Sequence, residues 1–112
     1  MESIRRGEVW WVSFDPAVGG EIRKTRPAVI VSNNAANAVL SRVVVVPVTS
    51  KTSRLYPGEA IVTIDGKPAK AMADQIAAAP KQRLRSRVAS LTAVDLRSVE
   101  DAILIHLGIR RL

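Results

Sequence analysis

Residues Arg42–Val48 read RVVVVPV. Four consecutive valines favour an extended backbone, because branching at Cβ crowds a helical turn but packs well on a pleated surface. Successive strand side chains point to opposite faces, so an unbroken apolar run leaves neither face for water. Such a strand belongs in the middle of a sheet with packed material on both sides. The longest apolar run, Val43–Val48 with Pro47 inside it, is far too short to span a bilayer.

The flanking sequence supplies the neighbours. Glu8–Phe14 (EVWWVSF) is a strand rich in Val and aromatics, ended by Asp15-Pro16, with Gly19-Gly20 loosening the loop that follows. Pro27–Ser32 (PAVIVS) is a second strand, with proline tolerated at its start because only a terminal donor is lost. Asn33-Asn34 turn the chain into a short helix at Ala35–Leu40, and Arg42–Val48 is the third strand. Thr52–Gly58 (TSRLYPG) is a loop. Ala60–Asp65 is a fourth strand closed by Asp65-Gly66, a hairpin signal, and Ala69–Ile76 is its expected partner. Leu84–Ser90 is a further short strand. The last segment is helical: Thr92 and Asp95 resemble a capping box, and Leu96, Val99, Ile103 and Leu107 mark one apolar face. Short strands and one terminal helix predict an α+β domain, mainly β, built as a small antiparallel barrel or curled sheet. No internal repeat or composition shift divides residues 1–112, which read as a single domain.

The 47% hydrophobic content argues against disorder. The opening MESIRRGE lacks the apolar stretch of a signal peptide, and the chain has no cysteine, which excludes disulfides and thiolate metal sites and fits a reducing cytoplasm. The net charge is +7. Between Ile22 and Gly58 stand six Lys/Arg and no Asp or Glu, and Gln75–Val94 is also free of acids around KQRLRSR at 81–87. The terminal helix is closer to balanced, so the excess sits on strands and loops. That distribution points to nucleic acid or an acidic polypeptide and away from a membrane surface.

The only histidine, His106, falls in the terminal helix and reads as a half-exposed helix residue. Ribonuclease chemistry by a histidine pair is therefore excluded, as is a Ser-His-Asp set away from His106. Glu59, Asp65 and Asp74 show no ligand spacing, so no metal and no cofactor is expected. What remains is a polar group at one end of each of two apolar strands: Arg26 before PAVIVS, and Thr49-Ser50 after VVVVPV. If the strands are neighbours, these groups converge on one pocket whose sign suits a phosphate. RNA carries its own nucleophile, the 2′-hydroxyl. Its cleavage needs that proton removed, the phosphorane charge stabilised and the leaving 5′-oxygen protonated. The planar fork of Arg26 matches two phosphate oxygens, but its high pKa disqualifies it from proton transfer. Glu21 can act as base if its environment raises it. The Thr49 hydroxyl can donate to a phosphate oxygen or to the leaving group. From the residues alone, a loop cation at Arg26 and a strand-end cap at Thr49 are the better-supported reading.

Four stretches shift that weight: RGEVWWVSFDP at 6–16; G-x-E followed by TRPAVIVS within 19–32; VVVPVTSK at 44–51 with YPGE at 56–59; and AMADQI at 71–76. In order and spacing they resemble the MazF/PemK (Kid) family of toxin endoribonucleases over about two-thirds of the chain. The resemblance implies an SH3-like barrel with a C-terminal helix, assembled as a homodimer. It implies metal-independent cleavage of single-stranded RNA at short sequences, leaving 2′,3′-cyclic phosphate and 5′-hydroxyl ends. It also implies an acidic cognate antitoxin whose flexible tail covers the RNA site, with operator DNA reached only through the antitoxin complex. The family's arginine falls on Arg26 and its threonine on Thr49. The glutamate of some members falls on Glu21, and the aspartate of others on Asp74. Members with that aspartate also use a loop histidine and a nearby arginine, and here those positions are Gly20 and Met72. Arg26 and Thr49 with Glu21 assisting is thus the expected catalytic set, with Asp74 and Gln75 reading bases. Arg23, Lys24, Ser50, Lys51 and Lys70 are expected along the RNA backbone. Trp11 or Tyr56 would stack on a base, while both tryptophans read equally as core or dimer packing. Two other readings compete: a CcdB-like gyrase poison, which would not need the Arg26/Thr49 pair, and a nucleic-acid-binding barrel without catalysis.

Overall fold

The computed structural model describes residues 3–14 and 24–110. Strands are β1 (Glu8–Phe14), β2 (Lys24–Ile30), β3 (Arg42–Thr49), β4 (Glu59–Ile64), β5 (Lys67–Met72), β6 (Ala77–Pro80) and β7 (Leu84–Ser90). Helix α1 (Asn34–Val39) precedes β3, and α2 (Ala93–Leu107) ends the domain. Short 3₁₀ turns occupy Ala73–Gln75 and Lys81–Arg83.

All strand pairs are antiparallel, in the order β4-β5-β3-β2-β1-β7. β3 is central, as its sequence requires. Val43 and Val45 are buried on one face among Trp10, Val12, Ala28 and Ile30, while Val46 and Val48 are buried on the other with Val9, Val29, Val62 and Ala71. Its second edge is shared: β6 pairs with Arg42–Val45, and β5 pairs with Val48 and Thr49. The expected strand over Ala69–Ile76 stops at Met72, and a further strand, β6, starts only at Ala77. To stay on one edge of β3 the chain must break, and it does so in the 3₁₀ turn at Ala73–Gln75. β2 begins earlier than expected, so Pro27 lies inside it opposite Trp11, where the β2–β3 ladder has already ended at Ala28. Its missing N–H therefore removes no rung from that ladder.

The sheet curls, helped by register shifts at Trp10 between β1 and β7, but among the described residues it does not close. Of the two expected forms, barrel or curled sheet, the chain adopts the curled open sheet, with α2 packed against β4. Thr92 caps α2 by accepting the Asp95 N–H, at 3.1 Å. The Asp95 carboxylate accepts the N–H of Thr63 on β4, at 2.8 Å, so the acid expected to complete a capping box seals a sheet edge. Val99 and Ala102 form the buried line of the helix, with Leu96 and Ile103 beside it. Leu107 was expected on that face but is 52% exposed. It lies about 100° round the helix from the Val99–Ala102 line. Gly108, left-handed at φ 71°, then ends the helix by donating to Ile105 O.

Candidate active site

Strand register brings the sequence-predicted residues into one row. Val12 on β1 is paired with Arg26 on β2. The β2–β3 ladder pairs Ile30 with Val45 and Ala28 with Pro47, and the same register two residues further sets Arg26 level with Thr49. Thr49 pairs with Lys70 on β5, and Lys70 pairs with Ile61 on β4. Directly opposed residues share a face and sit about 5 Å apart at Cα. Arg26, Thr49 and Lys70 therefore cross three neighbouring strands at the end of the face that buries Ala28 and Val45.

Each of the three has a different environment. Arg26 is half-buried, and its guanidinium takes no hydrogen-bond or ion-pair partner among the described residues. A planar cation with unused donors at a surface can receive two phosphate oxygens. Thr49 ends β3 half-buried, and its Oγ1 accepts the Lys51 N–H at 3.2 Å. That bond turns the chain and leaves the hydroxyl proton free to donate. Lys70, in contrast, is 9% exposed and fully engaged. Its Nζ donates to Arg54 O at 2.9 Å and pairs with Glu59 Oε1 at 3.3 Å.

The loop after Thr49 is exposed at Ser50 and Lys51 and again at Arg54–Pro57. Tyr56 lies half-exposed, its hydroxyl accepting from Arg54 Nη1 at 2.9 Å and its ring under Arg54 at 5.8 Å. Asp74 and Gln75 are exposed in the 3₁₀ turn that follows β5, and Gln75 Nε2 lies 3.5 Å from Met72 Sδ. Lys24 opens β2 opposite Phe14. Glu21 and Arg23 lie outside the described residues.

Trp10 is core: it is 5% exposed, and its Nε1 donates to Glu8 Oε1 at 3.0 Å. Trp11 alternates to the opposite face and is 40% exposed. Burial alone would raise the Glu8 carboxyl, but hydrogen bonds from Arg5 N, Trp10 Nε1 and Arg87 outweigh it and hold Glu8 below its ordinary value. Glu8 is thus a structural anion. His106 is exposed in the last turn of α2, beside Gly58. No group of three or more His, Cys, Asp or Glu is placed to hold a metal among the described residues.

Two neighbours escaped the sequence reading, Arg54 and Glu59. The alternation Arg54-x-Tyr56 inside an acid-free loop was the available signal for the first. Glu59 gave none, because its partner Lys70 comes from the next strand. A hollow of about 450 Å³ on the same face, lined by Trp10, Lys81, Leu84 and Arg85 among others, continues the basic surface, since Leu84 lies level with Val12. It adds cationic side chains from the KQRLRSR stretch beside the row.

Residues 5–107 match the family described as PemK-like, MazF-like toxin of type II toxin-antitoxin system. The chain is 38% identical to endoribonuclease MazF9 of Mycobacterium tuberculosis over 115 residues, covering 95% of this chain and 98% of that protein. It is 44% identical over 63 residues to endoribonuclease PemK of Escherichia coli, covering 56% of this chain and 47% of that one. MazF of Deinococcus radiodurans superposes with a TM-score of 0.82 at 27% identity, covering 97% of this chain and 100% of that one. A mycobacterial endoribonuclease solved in complex with its cognate antitoxin superposes with a TM-score of 0.79 at 25% identity, covering 97% and 99%. With the family match spanning nearly the whole chain and the same curled sheet and terminal helix in its structural relatives, the chain belongs to the PemK-like, MazF-like toxins of type II toxin-antitoxin systems.

Proposed function

We propose that this chain is an endoribonuclease toxin that cuts single-stranded RNA at short sequences without a metal ion. Arg26 and Thr49, each two residues beyond the last β2–β3 pair on adjacent strands, carry this reading. The scissile phosphate sits over them. Glu21 takes the 2′-hydroxyl proton, and the 2′-oxygen attacks phosphorus. Arg26 holds the two phosphorane oxygens as negative charge builds. The bond to the 5′-oxygen breaks, and that oxygen takes a proton from solvent water while Glu21 returns its own to solvent, with Thr49 donating a hydrogen bond to the leaving oxygen or to the phosphate. The products are a 2′,3′-cyclic phosphate and a 5′-hydroxyl, and no outside reagent is consumed. Asp74, Gln75, Ser50 and Lys51, all exposed, would meet base edges and phosphates of single-stranded RNA.

The chain works as a homodimer and is silenced by an acidic antitoxin. MazE-MazF complexes from Deinococcus radiodurans and the mycobacterial antitoxin complex support that partner class, and the +7 charge supports its sign. Incubating the protein with a long single-stranded RNA in excess EDTA, beside Arg26→Ala, tests the proposal. Discrete fragments with cyclic-phosphate ends from wild type alone are expected. Intact RNA in both lanes would overturn it.

A further inference from the structure

The Lys70 ammonium is the most heavily used cation near the row, and its partners are two residues of the 50–58 loop and the first residue of β4. It donates to Arg54 O at 2.9 Å, pairs with Glu59 Oε1 at 3.3 Å and lies 5.9 Å from the centre of the Tyr56 ring. The same Glu59 oxygen accepts the Tyr56 N–H at 2.7 Å, and Glu59 N donates to Tyr56 O at 3.1 Å. Both side chains of the ion pair are about nine-tenths buried, at 11% and 9% exposure. Residues 50–58 have no strand or helix of their own, so this side-chain knot takes the place of a hydrogen-bonded ladder. Its base is the residue directly opposite Thr49.

We propose that Lys70 and Glu59 are positioning residues that lock the 50–58 loop. Locked, the loop presents the Arg54–Tyr56 pair beside Thr49 as a stacking platform for an RNA base next to the scissile phosphate. This rests on the ribonuclease reading above. Lys70 then meets no phosphate: its charge is spent on Glu59 and on the Arg54 carbonyl. Tyr56 is half-exposed, with Arg54 at 5.8 Å and Lys70 at 5.9 Å from its ring centre, and its exposed part is aromatic surface of the kind on which single-stranded bases stack. The ion pair fixes that surface without any contact to RNA.

The test separates the tether from the chemistry. The Arg54–Leu55 bond is a trypsin site whose carbonyl is the one held by Lys70. In full-length protein, Lys70→Met should make nicking at that bond at least about fivefold faster, read by mass spectrometry. Glu59→Gln keeps an acceptor for Tyr56 N–H and removes only the charge. It should also speed nicking, and it serves if Lys70→Met does not fold. On short single-stranded RNA, either variant should raise KM about tenfold, the size expected for losing one stacked base, while kcat falls much less. Tyr56→Ala should raise KM similarly without speeding nicking through loss of the ion pair. Unchanged nicking in both charge variants would overturn the tether. Faster nicking with unchanged KM would overturn the platform. Wild-type protein that leaves RNA intact would remove the ribonuclease reading, and the proposal's RNA half with it, while the nicking result would still decide the tether.

Discussion

Arg26→Ala separates catalysis from stability more cleanly than any other change in this chain. The guanidinium has no partner among the described residues, so its loss breaks no contact seen there, and the fold should lose less than about 1 kcal/mol. If the guanidinium holds two phosphorane oxygens, two charge-assisted hydrogen bonds of about 1.5–3 kcal/mol each disappear from the transition state. At ~1.4 kcal/mol per decade, that is a loss of about 10²- to 10⁴-fold in rate. Arg26→Lys keeps the charge but not the planar fork, so its rate should fall between the two. Single-turnover cleavage of a short fluorogenic RNA in EDTA gives the rates, and urea unfolding gives the stabilities. A stably folded Arg26→Ala protein that cuts within about threefold of wild type would refute the role assigned to Arg26. Equal losses in stability and rate would show that the residue holds the fold and not the phosphate.

Thr49→Ala should slow cleavage by about 10²-fold, as for loss of one transition-state donor, and Thr49→Ser should restore most of it; a rate for Thr49→Ala within a few-fold of wild type in the same assay would leave Thr49 as a strand-end cap only. Glu8 is held below its ordinary value when folded, so its contribution to stability is complete above the unfolded carboxylate range and lost as pH falls through the folded value. Acid titration of the urea midpoint should show that loss, and Glu8→Gln, which cannot ionise, should flatten it; parallel curves would refute the assignment. Asp95→Ala removes the acceptor of Thr63 N–H on β4 and should cost about 1 kcal/mol, with faster amide exchange at Thr63 as its local signature; unchanged exchange would show that water replaces the bond without loss.

The valine run of β3, the Val- and aromatic-rich β1 and the capped terminal helix were all legible in the sequence. Each is a local matter of side-chain branching, period or capping chemistry. So were Arg26 and Thr49 as the polar ends of two apolar strands, and family resemblance gave them roles. Beyond the β4–β5 hairpin signalled by Asp65-Gly66, what could not be read was which strands meet. β6 was invisible because Ala77–Pro80 has no strong pattern of its own and is a strand only because β3 offers it an edge. Whether the sheet closes as a barrel or stays a curled sheet was left open; α2 packs against β4, and Asp95 spends its carboxylate on that strand's edge. Lys70 read as one more cation for RNA. Only the tertiary structure places Glu59, Arg54 O and the Tyr56 ring around its ammonium. Sequence determined which segments extend or coil and where the positive charge resides, because those follow from neighbours along the chain. Tertiary structure decided which charges stay free to meet a phosphate and which are already neutralised, because register and burial join residues that the sequence keeps apart.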